Sequence, residues 1–161
     1  MNTDPVDQTA LWLSRVFLGA QPTEADALML TEIEEDSKTR PLSLILEEME
    51  TRRREEPGQF GLDHVATLFA PLFLPVVYAF VRKFAGKFVE GAASEAGKMA
   101  ATRLKESVAK ALAEKAGSGA APEAIAELEQ AFAARARLLG LGRSSYDHYL
   151  RQLRERSAQL L

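Results

Sequence analysis

The sequence predicts an all-α fold: a compact bundle of six or seven helices around a long, proline-kinked central segment that begins hydrophobic and turns amphipathic. Three observations point there. Apolar residues recur every three or four positions through most of the chain, the spacing of a single buried helix face. The gaps between those runs hold Pro, Gly and short polar residues of the kind that start and stop helices. No run alternates as a half-buried strand does, no Asn-Gly hairpin signal occurs, and no repeat of fixed period is present.

Asp4 suits an N-cap, with Pro5 at the first helical position. Val6, Ala10, Leu13 and Phe17 then follow at helical spacing, so a first helix is expected over about residues 5–19, ended by Gly19 and Pro22. Thr23 with Asp26 three residues on approximates a capping box for a second helix reaching about Glu35, with Ala25, Leu28, Met29 and Ile33 inward and an acidic, exposed tail. Pro41 opens a third helix carrying Leu42, Ile45, Leu46 and Met49 on one face. Glu48–Arg52 and Glu50–Arg54 would form i,i+4 ion pairs along it, and Pro57-Gly58 would close it.

The middle of the chain is the most informative part. After Asp63, a plausible N-cap, seventeen consecutive residues from Val65 to Val81 carry no charge. That length sits at the lower edge of the roughly 17–25 residues that cross a bilayer. Pro71 and Pro75 within it remove the helical bonds to the carbonyls of Thr67 and Pro71, so a kinked or broken helix is expected. Beyond them, Val77, Phe80, Val81, Phe84, Phe88 and Gly91 fall on one face, with Arg82, Lys83, Lys87 and Glu90 opposite. From Gly91 to Ala101 nearly every residue is small, repeating every four positions as Ala92, Ala96, Ala100 and as Ala93, Gly97, Ala101. Such a surface lets another helix approach closely. The stripe Leu104, Val108, Leu112 then resumes on a rotated face, so this long helix is expected to meet different neighbours along its length.

Gly117-Ser118-Gly119 reads as a loop. Pro122 starts a helix with Ile125, Leu128, Phe132 and Leu139 inward, and Gly140 and Gly142 stop it. Ser144 with Asp147 would cap a last helix bearing Tyr146, Leu150, Leu153 and Leu160 towards the core, with Arg151, Arg154 and Arg156 outside.

These segments fit one domain, residues 1–161, with an acidic front (1–63), a hydrophobic and basic middle (64–117) and a C-terminal helical hairpin (118–161). The net charge of −3 hides the asymmetry, because residues 1–63 hold six Lys/Arg against fourteen Asp/Glu and residues 64–117 hold eight against four. With 47% hydrophobic and 27% charged residues the chain has the composition of a globular protein, not a disordered one. There is no Cys, which removes disulfides and thiol chemistry and favours a reducing compartment. Met1–Pro5 lacks the basic and apolar pattern of a secretory leader, so a cytoplasmic protein is expected, with membrane association as the alternative.

Little of this is chemistry for catalysis. His64 and His148 stand alone, in no metal-ligand spacing. His148 beside Tyr146, Asp147 and Tyr149 is the best polar cluster, and Asp147 already has a capping role. Gly140 to Ser145 resembles a phosphate loop only superficially, since it follows a helix and lacks the phosphate-binding Lys. Arg52-Arg53-Arg54 is hemmed in by five Glu residues that would repel a nucleic-acid backbone. The chain is therefore expected to be non-enzymatic, with no cofactor, no metal, no small-molecule substrate and no nucleic acid. It would act by protein–protein contact or self-assembly. The candidate interaction or insertion residues are Phe73, Val77, Phe80, Phe84, Phe88, Gly91, Ala92, Ala96, Gly97 and Ala100. One form of this reading is a pore-forming or toxin-like membrane effector held soluble by the acidic front. The other is a soluble adaptor, scaffold or regulatory subunit in which the same greasy stretch is simply core.

Overall fold

The computed structural model describes residues 4–19, 23–55, 69–88, 97–116 and 123–160. Those residues form seven α-helices and no strand. They are α1 (Pro5–Leu18), α2 (Glu24–Ser37), α3 (Leu42–Glu55), α4 (Phe69–Phe88), α5 (Gly97–Ala116), α6 (Glu123–Leu139) and α7 (Arg143–Ala158).

The helix starts follow local chemistry where the sequence supplies it. Asp4 caps α1, accepting hydrogen bonds from the amides of Val6 at 2.8 Å and Asp7 at 3.3 Å. Thr23 Oγ1 accepts the amide of Asp26 at 3.2 Å and donates to the Asp26 carboxylate at 2.9 Å, which opens α2. At α7 the expected cap is not used. The helix begins at Arg143 behind Gly142, with no side-chain cap, so Ser144 lies inside the first turn, Asp147 lies beyond it, and Asp147 is exposed. Gly140, at φ 68°, ends α6 with the amide of Leu141 donating to Ala136 O at 2.9 Å and that of Gly140 to Arg137 O at 3.1 Å. This paired arrangement needs a left-handed residue, which glycine adopts without strain.

α1 lies at the centre of the packing. It runs against α4 and α5 most extensively and touches α2 and α7 as well; α6 closes over α4, and α7 over α5. Ala10, Leu13 and Phe17 of α1 are completely buried, as their spacing predicts. The long central helix is two elements. A rod from residue 69 to residue 116 would run about 70 Å, whereas α1 is only about 21 Å long and packs along both parts. α4 and α5 therefore both pack on α1. Residues 89–96, with the candidates Gly91, Ala92 and Ala96, lie outside the described residues.

Both prolines sit within one uninterrupted α4, Pro71 in its first described turn and Pro75 inside it. α5 buries Ala101, Leu104, Val108 and Leu112, the stripe expected of it. Phe73 is the hub of an aromatic cluster. Its ring stacks on Phe132 of α6 at 4.7 Å, meets Tyr149 of α7 edge-on at 5.6 Å, and lies 6.4 Å from Phe17 of α1, while Phe132 stacks on Tyr146 at 5.2 Å. Beyond area burial, such pairs contribute about 0.5–1.5 kcal/mol each.

One face differs from the sequence reading. On α2 the residues turned inward are Asp26, Leu30, Ile33 and Ser37; Ala25 is exposed and Leu28 is 59% exposed. The buried residues recur at four, three and four positions, a cleaner helical face than the expected one. Leu28, two positions on from Asp26 and so about 200° around the helix, is turned to solvent.

Candidate functional site

Phe73, Val77 and Phe80 are buried at 1%, 0% and 5% exposure, so these expected interaction residues are covered by the chain's own helices. Phe84 is partly buried and lies 6.1 Å from Phe80, ring to ring. The side chains of Phe88 and Ala100 are outside the described residues, and Gly97 opens α5. Among the described residues no helix is long and apolar enough to cross a membrane. Nor does any group of three or more His, Asp or Glu among them have the arrangement to hold a metal ion. His148 is exposed, with its ring 5.5 Å from that of Tyr149. Burial first, and the negative charge of Asp26 second, push the Tyr149 phenol above its ordinary pKa.

A concavity among the described residues lies elsewhere, between α2 and α3. A groove of about 200 Å³ has an apolar floor of Met29, Ile33, Ile45, Met49 and Pro71. One wall is Glu32 and Asp36 of α2. The other carries Arg40, which pairs with Glu48, and Arg52. Two of the few large apolar side chains left in solvent flank it. Leu28 (59% exposed) stands one helical turn before Glu32 on the α2 wall, and Leu44 (47% exposed) one turn before Glu48 on the α3 wall. The volume falls below the roughly 300–1,000 Å³ of small-molecule sites, so the groove suits a few side chains better than a whole metabolite.

What holds the walls is a set of polar ties between helices remote in sequence. The Asp7 carboxylate of α1, 6% exposed, accepts the Leu42 amide at 3.0 Å and so caps the start of α3 from outside it. A carboxylate there meets unpaired N–H groups and the positive end of the helix. Arg15 grips Glu34 of α2 through Nη2 at 2.7 Å and Nε at 2.9 Å. Gln152 of α7 donates to the Phe17 carbonyl at 2.7 Å, satisfying the end of α1.

The most consequential tie is Arg135 of α6, whose side chain is 9% exposed. It pairs with Glu50 of α3 and donates to the Pro71 carbonyl at 2.7 Å. In an unbroken helix that carbonyl would receive the amide of residue 75, but residue 75 is proline and has none. Arg135 supplies the missing donor. Glu48 and Glu50, expected to pair one turn along α3, reach off that helix to Arg40 and Arg135.

Compared with models of protein families, with curated proteins and with solved structures, the chain matches none.

Sequence reasoning passed over the groove for identifiable reasons. Leu28 was assigned to the core because helical periodicity does not mark which of two overlapping faces is covered. Leu44 is one apolar residue in a run of them, from Leu42 to Leu46, broken only by Ser43. Arg135 had no signal beyond its place in an alanine-rich helix, although the freed Pro71 carbonyl did announce that some donor was needed.

Proposed function

We propose that the chain works by non-enzymatic contact with another protein, docking a segment of that partner in the groove between α2 and α3. The observation that carries this reading is the coincidence of an apolar-floored groove with exposed leucines on both walls. Covering the exposed Leu28 and Leu44 and the half-buried Met29 and Met49 stabilises association by about 25 cal/mol per Å² before ordering costs. The fixed spacing of two helices is a recurrent way to receive a third. Phe17, Phe73 and Phe132 are fully buried in the core, so the surface left for contact is aliphatic.

The test is a nuclear magnetic resonance titration of the full chain with a panel of short amphipathic helical peptides bearing neutral, acidic or basic flanks. Shifts confined to residues 28–36 and 40–52, lost in a Leu28→Glu/Leu44→Glu variant that keeps its helical circular dichroism, support docking there. A panel that moves none of those amides defeats it.

A second reading keeps one observation in its favour. The uncharged stretch of α4 lies directly beneath α1, α2 and α3, all from the acidic front, so the cover needed by a masked membrane-active segment is in place. Its test is leakage of dye from anionic liposomes by the full chain, with Glu50→Gln and Asp7→Ala to loosen that cover. Leakage that rises with loosening supports it, and intact liposomes with all three proteins dismiss it.

A further inference from the structure

We infer that the partner segment is an amphipathic helix with one basic flank, seated so that its Lys or Arg residues face the α2 wall. This rests on the groove being the docking site and adds the chemistry of its occupant. Glu32 and Asp36 are both exposed and stand four residues apart, so they present two carboxylates one helical turn apart along one ridge. Across the groove Glu48 is already paired with Arg40, and Arg52 adds a positive charge. The walls therefore differ in sign. A helix entering between them matches both only if its basic residues repeat at one-turn spacing on the side of Glu32, with a neutral or acidic residue towards Arg52.

The same preference operates at a distance. Residues 1–63, which supply both walls, hold six Lys/Arg against fourteen Asp/Glu, a field that draws a cationic segment and turns an anionic one away. On the occupant, apolar anchors three or four residues apart would fill the floor between Ile33 and Met49.

The experiment compares three synthetic helical peptides with the same leucine anchors and either Lys, Gln or Glu at two flank positions one turn apart. Each is titrated against the full chain by fluorescence anisotropy at low and at high salt. The Lys peptide is expected to bind about 2–30-fold tighter than the Gln peptide at low salt, the range for two solvent-exposed ion pairs, and to lose that margin at high salt. Glu32→Gln with Asp36→Asn should erase the margin while leaving affinity for the Gln peptide unchanged. Glu32→Lys with Asp36→Lys should transfer the preference to the Glu peptide. Equal binding of all three peptides, or a Lys preference that survives both substitutions, overturns the inference while leaving docking in the groove intact. Failure of every peptide, the Gln form included, removes the docking reading itself. Concentration-dependent self-association that is abolished by Glu32→Lys/Asp36→Lys would make the occupant the basic middle of a second copy, and would equally overturn a separate partner helix.

Discussion

Replacing Arg135 tests the link between a proline in one helix and an arginine in another. Arg135→Met removes the donor to the Pro71 carbonyl and the ion pair to the Glu50 carboxylate, which is 25% exposed. A hydrogen bond from a charged group contributes about 1.5–3 kcal/mol, and a partly solvated ion pair adds up to about 1 kcal/mol. A loss of about 2–4 kcal/mol in urea unfolding is therefore expected, or roughly 4–16 °C in Tm for a chain of this size. The decisive measurement is a double-mutant cycle with Pro75→Ala. Alanine restores an N–H at position 75 that can reach the Pro71 carbonyl, so in that background Arg135→Met should cost about 1–2 kcal/mol less, the share owed to that carbonyl. The Glu50 pairing is the same in both backgrounds and drops out of the difference. If the two substitutions prove additive within about 0.5 kcal/mol, Arg135 is not replacing the amide that Pro75 lacks, and the account of α4 is wrong.

Other outcomes follow from single contacts. Asp7→Ala should cost about 1–3 kcal/mol by orphaning the buried Leu42 amide, with faster hydrogen exchange at that amide, while Asp7→Asn should recover most of the loss. Gly19 sits at φ 91°, ψ −178°, where side chains are strained, and an added Cβ would lie 2.8 Å from Arg156 Nη2. Gly19→Ala should cost about 1–3 kcal/mol, and Arg156→Ala should not rescue it, because the strain is in the backbone and the guanidinium end can move aside. Tyr149 has a phenol whose folded pKa is raised by burial and then by Asp26. The unfolded chain ionises first, so the contribution is fully present below pH about 10 and is lost as pH rises through the folded value. Alkaline unfolding followed by phenolate absorbance should show this loss, and Tyr149→Phe should flatten it.

The all-α class, the order of the helices and most of their buried faces could be read directly from residues. α1, α3 and α6 bury most of the positions their spacing implies, whereas α7 buries Tyr149, Leu153 and Ser157 and leaves the expected Tyr146 and Leu150 half-buried; Asp4 and Thr23 cap as their chemistry implies. These features depend on neighbours within one or two turns, so a linear reading contains their causes. The cap assigned to Ser144 failed for a related reason. Gly142 in an extended conformation offers an earlier start, and local rules rank such starts without choosing between them.

What the linear reading lacked were relations between helices. It allowed one long central rod, whereas α4 and α5 lie together on α1 because burying two apolar stripes against a third removes more surface from water than an isolated rod can. Nor could it foresee that Leu28 faces solvent, that Asp7 caps a helix thirty-five residues away, or that Arg135 meets a carbonyl freed by Pro75. Sequence by itself determined which surfaces must be hidden and where an amide would be missing. Tertiary structure alone decided what hides them and which side chain supplies that donor, and so which apolar groups were left over to line a groove, because a packed core satisfies each buried group from whatever lies nearest in space.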